Sequence, residues 1–217
     1  MDKKELVKRY ILFIIGLIFI GMGVGFTKRG ELGVSPISSV ANVLSIKFDF
    51  LSIGSWLVIT NCMLILAQVL ILRKDFKLYQ LLQIPLSFLF GYSADFGLWV
   101  ASFFPVNSYF SRLIMLFIGI VILALGISLS VIADVIMNSG EAIVKVIADK
   151  LGREFGNVKV VFDISCVTAS IILSLIFFDM KIVGTREGTV ITAVFTGFVV
   201  KFFTRILKDR LLKIVKS

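Results

Sequence analysis

The stretch L-I-M-L-F-I-G-I-V-I-L-A-L-G-I-S-L-S-V-I-A, residues 113–133, carries no charged side chain. As a helix rising 1.5 Å per residue it is long enough to cross the roughly 30 Å hydrocarbon core of a bilayer. Backbone groups in lipid have no water to bond, so a run of this length is expected to be helical. Similar runs lie at about Tyr10–Phe26, Leu51–Leu72, Leu78–Phe104, Val158–Phe178 and Gly188–Leu207. Composition agrees: 58% of the 217 residues are hydrophobic and the mean hydropathy is +1.02, against about 45–50% apolar residues in a soluble domain. The expected fold is all-α, a polytopic membrane protein with six transmembrane helices in a single domain, residues 1–217.

Lys and Arg orient the spans, because cytoplasmic loops hold an excess of both. With the N-terminus inside, the inner segments hold Lys3, Lys4, Lys8 and Arg9, then Arg73, Lys74 and Lys77. They also hold Lys145, Lys150, Arg153 and Lys159, and finally Lys201, Arg205, Lys208, Arg210, Lys213 and Lys216. The outer segments keep only Lys28, Arg29, Lys47, Arg112, Lys181 and Arg186. Both termini are therefore expected on the cytoplasmic side. The net charge of +9 reads as a topology signal, with no nucleic-acid partner. The basic tail, residues 208–217, either continues the last helix onto the anionic inner leaflet or forms a solvated stop-transfer tail. On the leaflet each nearby Lys or Arg gains about 1 kcal/mol. The N-terminus imitates a signal peptide, but its apolar run ends in V-G-F-T-K-R without a small-x-small cleavage site and reads as a retained first helix.

The two cysteines, Cys62 and Cys166, lie inside apolar runs, and the chain has no histidine. Neither a disulfide scaffold nor a zinc site is expected, and no cofactor. The thiols read as small packing residues.

The halves of the chain resemble each other. Gly16 and Gly23 recur as Gly119 and Gly126, Gly54 and Asn61 as Gly156 and Asp163, and Gly91 and Asp95 as Gly197 and Lys201. Repeat A covers about residues 9–105 and repeat B about 112–207. Each reads as a span, a polar turn, a short amphipathic helix and two more spans. Three spans per copy is odd, so the second copy enters the membrane upside down, and the expected architecture is two inverted three-helix repeats. Secondary transporters commonly have this design, with the site where the repeats meet. The glycines read as packing devices that let helix backbones approach closely, Gly21 and Gly25 adding a G-x-x-x-G.

The polar turns are alike. Ser35 before Pro36 reads as an N-cap with proline at the first helical position; Asn138 or Ser139 caps the second short helix, with Glu141 in its first turn. Each short helix then offers free N–H groups and a positive dipole end. Glu141 is either an ordinary capping carboxylate or a cavity group that binds a cation, a proton or a substrate amine. Asn61 and Asp163 sit seven residues beyond the repeated glycines, about 10 Å deeper at 1.5 Å per residue. An aspartate at that depth needs a partner or water. Asp163 is thus the strongest site candidate, with a structural bond to Asn61 or a backbone turn as the alternative. Before the last span, G-T-R-E-G-T-V (184–190) makes another polar entrance with Arg186, Glu187 and Thr189; Gln80 and Gln83 stand in the matching region of the first half. The candidate substrate-binding residues are Ser35, Ser38, Asn61, Asn138, Glu141, Asp163, Glu187 and Thr189.

G-V-S-P at 33–36, G-E-A at 140–142, N-V-K-V-V-F-D at 157–163 and G-T-V at 188–190 followed by T-G-F at 196–198 occur in order along nearly the whole chain. As an ordered set they resemble the YczE/YitT-like family of bacterial integral membrane proteins. The first half departs from the family pattern, with Ile37 and Ser38 after Pro36 and Gln80–Gln83 in place of a Gly-Thr. The resemblance implies a multi-pass protein of the bacterial cytoplasmic membrane. Members are described as uncharacterised, a few as exporters or as helpers in lipopeptide antibiotic production.

The leading functional expectation is a transporter or exporter of a small or amphipathic solute working by alternating access. The alternatives are a non-catalytic scaffold or partner subunit for other membrane-associated enzymes, and a lipid translocator, which needs a lateral opening. Catalysis is not expected: no histidine is present, neither cysteine has an evident base, and no H-E-x-x-H pattern occurs. Expected partners are the bilayer with its anionic inner leaflet and an unknown small solute; a homodimer is compatible with a chain of this size.

Overall fold

The computed structural model describes residues 3–216; Met1, Asp2 and Ser217 lie outside the described residues. Eight α-helices follow in order: α1 Lys3–Arg29, α2 Pro36–Lys47, α3 Ile53–Leu72, α4 Gln83–Ser102, α5 Tyr109–Ala133, α6 Ser139–Leu151, α7 Phe155–Phe177 and α8 Glu187–Lys216. The six long ones, α1, α3, α4, α5, α7 and α8, are long and apolar enough to cross a membrane. No strand occurs among the described residues.

Local chemistry sets the helix ends. The Ser52 hydroxyl accepts the Ser55 N–H to start α3, and Ser108 and Ser111 cap each other reciprocally to start α5. Pro85 explains why the third apolar run is not one continuous α-helix from Leu78. Its ring excludes an α-helical carbonyl four residues earlier, at Leu81, so Leu78–Leu82 is a 3₁₀ turn and α4 begins at Gln83. α1 and α8 run past their apolar cores into the basic flanks, because Lys, Arg and Leu are good helix formers. The tail to Lys216 thus continues α8, and the Lys8 ammonium donates to the Ile214 carbonyl at 3.1 Å.

α1 and α5 form the centre, running antiparallel through paired glycines. A Cβ on Gly126 would lie 2.5 Å from the Gly16 carbonyl oxygen, and one on Gly119 would lie 3.0 Å from that of Gly23. α4 packs along α1, where Gly21 and Gly25 would each meet α4 backbone within 2.6 Å. α8 packs along α5, and α3 along α4. The short helices lie across the halves, α2 on α3 and α7, and α6 on α7 and α3. α7 and α8 have no comparable mutual packing. Exposed apolar side chains such as Val161, Ile164, Phe198 and Phe202 make their outer faces suited to lipid.

Candidate functional site

The N-termini of α2 and α6 meet in the middle of the bundle. Ile37, in the first turn of α2, lies against Gly140, where an added Cβ would be 2.9 Å from its Cδ1. Pro36 occupies the first position of α2 without a side-chain cap bond, and the Ser35 hydroxyl donates to Ser38 at 3.0 Å. In α6 the Asn138 side-chain Oδ1 accepts the Ser139 N–H at 2.9 Å.

Buried hydrogen bonds pin both ends. Gln68 of α3 and Gln83 of α4 exchange amide bonds of 3.0 and 3.1 Å, and Gln68 also donates to the Ser139 carbonyl at 3.4 Å. Ser87 and Ser139 share a hydroxyl contact of 3.3 Å. On the other side Ser39 donates to the Cys166 carbonyl, and Asn42 to that of Gly184. In a low-dielectric interior such bonds fix geometry, since breaking one orphans a buried polar group.

A cavity of about 1090 Å³ opens at this junction. Ser35, Ser38, Asn61, Asn138, Glu141 and Asp163 all line it, with apolar wall from Phe13, Ile20, Leu123 and Val160. Asn61 is 3% exposed, and its amide nitrogen has no hydrogen-bond partner among the described residues. Asp163 does not bond Asn61; it pairs with Lys159, one turn earlier on α7, both side chains being about three-quarters buried. Glu141 is half-buried, open to the cavity but enclosed by the surrounding helices. Burial pushes its carboxyl above the ordinary 4.5; Lys159 opposes this, and Asp163 reinforces it. Thr196 of α8 brings a second unpartnered polar group, a hydroxyl, to the wall.

Glu187 and Thr189 lie outside the cavity. Glu187 pairs with Arg186 at the exposed start of α8. Thr189 is 1% exposed and packs beside Gly33, where it fits the close approach of the 33–36 turn to α8. Lys159 and Thr196 line the cavity, and Gln68 pins the start of α6 beside it; none of the three is among the candidates that the sequence points to. The four-residue spacing of Lys159 and Asp163 is the signal that pairs them.

The site therefore sets two helix N-termini, an unpartnered amide donor, a carboxyl whose ionisation burial opposes and a Lys–Asp pair around one chamber. Such a chamber can bind a solute with both polar and charged groups. A model described as "Family of unknown function (DUF6198)" matches residues 7–205. The chain belongs to this family. It is also 26% identical over 202 residues to the "Uncharacterized membrane protein YczE" of Bacillus subtilis (strain 168), covering 92% of this chain and 87% of that one. A second Bacillus subtilis relative, "Uncharacterized protein YyaS", is 31% identical over 119 residues, 54% of this chain and 57% of the relative. These matches agree with the YczE-like resemblance of the ordered motifs. No solved structure matches the chain.

Proposed function

We propose that this DUF6198 protein is a non-catalytic transporter of a small or amphipathic solute, working by alternating access between two inverted repeats. The observation that carries the reading is the chamber where the N-termini of α2 and α6 converge beside the unpartnered Asn61 amide. Transporter sites are built this way, from helix ends at the junction of repeats.

Several contacts support the repeat. The Gly16–Gly126 approach, shifted by the repeat offset, becomes the Gly119–Gly23 approach, and both occur. Ile37 meets Gly140, its own counterpart. Arg112 pairs with Glu31 at the end of α1, and Arg9 donates to the Ala133 carbonyl at the end of α5. Glu31 and the twin Asp134 both adopt left-handed backbone, φ 56 and 50.

In this reading the two termini face the cytoplasm, the basic loops and the α8 tail sit on the anionic inner leaflet, and the membrane is the bacterial cell membrane. The helix ends and Asn61 hold the polar part of the solute, while Glu141 and Asp163 exchange a proton or a cation. The gap between α7 and α8 favours a second reading, a lipid translocator, since it opens the chamber sideways. Single thiols at Ser35 and Glu141, in a protein lacking Cys62 and Cys166, test the first reading in sealed vesicles. A membrane-impermeant reagent is expected to label at least one site from both faces. Labelling of each from a single face contradicts alternating access.

A further inference from the structure

The α3–α4 seam is closed by two glycines and an aspartate. A Cβ on Gly54 would lie 2.2 Å from the Gly91 carbonyl oxygen, and one on Gly91 would lie 2.5 Å from that of Gly54. Asp95 of α4 clasps the start of α3, accepting the Ser52 hydroxyl at 2.6 Å and the Gly54 N–H at 2.8 Å. Every member of this clasp has a counterpart at the repeat offsets. Ser52 and Gly54 become Glu154 and Gly156; Gly91 and Asp95 become Gly197 and Lys201. The hydroxyl and carboxylate of the first half are replaced by a carboxylate and an ammonium, again complementary.

None of the second set is engaged. An added Cβ on Gly156 or Gly197 meets nothing within 4 Å. Glu154 is the N-cap of α7 but makes no cap bond. Glu154 and Lys201 are both exposed and form no ion pair with any described residue. Gly197 lies in the open interior of α8, where a glycine disfavours the helix relative to alanine, and Gly156 lies in the first turn of α7; in this arrangement neither glycine has a packing return. Their return is close contact between backbones, which is what the twin pair makes.

We infer that the protein has a second arrangement in which α7 closes on α8, Gly156 against Gly197, latched by a Glu154–Lys201 ion pair, while the α3–α4 seam opens. The inference rests on the alternating-access reading and supplies its moving parts. The two seams are gates on opposite sides of the chamber. One closed seam excludes solvent and lipid on its side, and its glycines allow backbone contact there with no side chain to rearrange. Arg153 and Arg205 flank the latch with positive charge, so Glu154 is the acidic member and Lys201 only one of the basic groups near it. Reversal of both charges, not of one, is therefore the diagnostic change.

The test pairs Gly156→Cys with Gly197→Cys in native membranes, in a chain lacking Cys62 and Cys166, bridged by a short bis-maleimide. The open space at both positions accommodates the thiols, and a monodisperse gel-filtration peak verifies folding. Cross-linking is expected, detected after cleavage at a protease site placed in the 179–184 loop. Glu154→Lys or Lys201→Glu alone is expected to lower the yield by about fivefold, the upper end for an exposed ion pair, and the double reversal to restore it. Absence of the cross-link, or a yield indifferent to both reversals, overturns the proposal. A cross-link formed while the Ser35 and Glu141 thiols label from one face only would keep the seam and remove the transport reading. Labelling from both faces without the cross-link would do the reverse.

Discussion

Asp163 and Glu141 both line the chamber, and they differ in how they are held. Asp163 is paired with Lys159 inside a membrane span. Asp163→Asn leaves Lys159 without its partner and is expected to cost about 1–3 kcal/mol, the penalty of an orphaned buried group. The double change Lys159→Gln with Asp163→Asn should recover most of that loss, since both charges are gone. Thermal unfolding in detergent reads both effects; solute flux in vesicles is expected to stay lost in either protein. Glu141 has a carboxyl raised by burial. Its neutral form is the one the fold favours, so its contribution is complete below 4.5 and is lost as pH rises through the raised value. Glu141→Gln, which stays neutral, should therefore match the wild type in acid and become progressively more stable than it as pH rises above 4.5. A wild-type advantage that grows with pH would contradict this. Asn61 was legible as a deep polar residue, but its missing partner was not, because a vacancy is a property of packing.

The helices themselves were the most legible feature, since each apolar run is long enough to force a span and α3, α5 and α6 start at the Ser or Asn side chains that prefer caps. α4 began late because Pro85 acts on a carbonyl four residues back, an effect that hydropathy does not register. The glycines divide into two kinds that the sequence presents as one. Gly54→Ala and Gly91→Ala would place a methyl group within 2.5 Å of opposing backbone oxygen, and each is expected to destabilise the protein by about 1–3 kcal/mol, the cost of overpacking. Gly156→Ala and Gly197→Ala meet open space and are expected to leave the melting temperature unchanged or raise it, since in a helix interior such as that of Gly197 alanine is favoured by about 1 kcal/mol over glycine. A thermal-shift comparison of the four single variants decides it. Equal destabilisation of all four would mean that α7 already packs on α8.

On the scale of the whole molecule, the sequence offered the offset glycines, while the charged twins carried the same pattern unnoticed. Arg9 with Arg112 and Glu31 with Asp134 recur at one spacing, yet basic residues were read for orientation and acidic ones for depth. Which seam is open could not be read at all, because Gly54 and Gly156 are the same residue in matching settings. In the proposed inverted repeat one chain has two packings, and a single closed seam is one of them. The most direct measurement is the distance between spin labels across each seam in lipid bilayers, in a chain lacking Cys62 and Cys166. One pair is Met63 with Tyr92 across α3 and α4, the other Val161 with Phe198 across α7 and α8, all four side chains being exposed. Two distance populations are expected at each pair. Gly156→Leu, which blocks α7 from closing on α8, should leave only the long distance at the second pair and only the short one at the first. A single distance at each pair, unmoved by Gly156→Leu, would contradict alternating access through these seams.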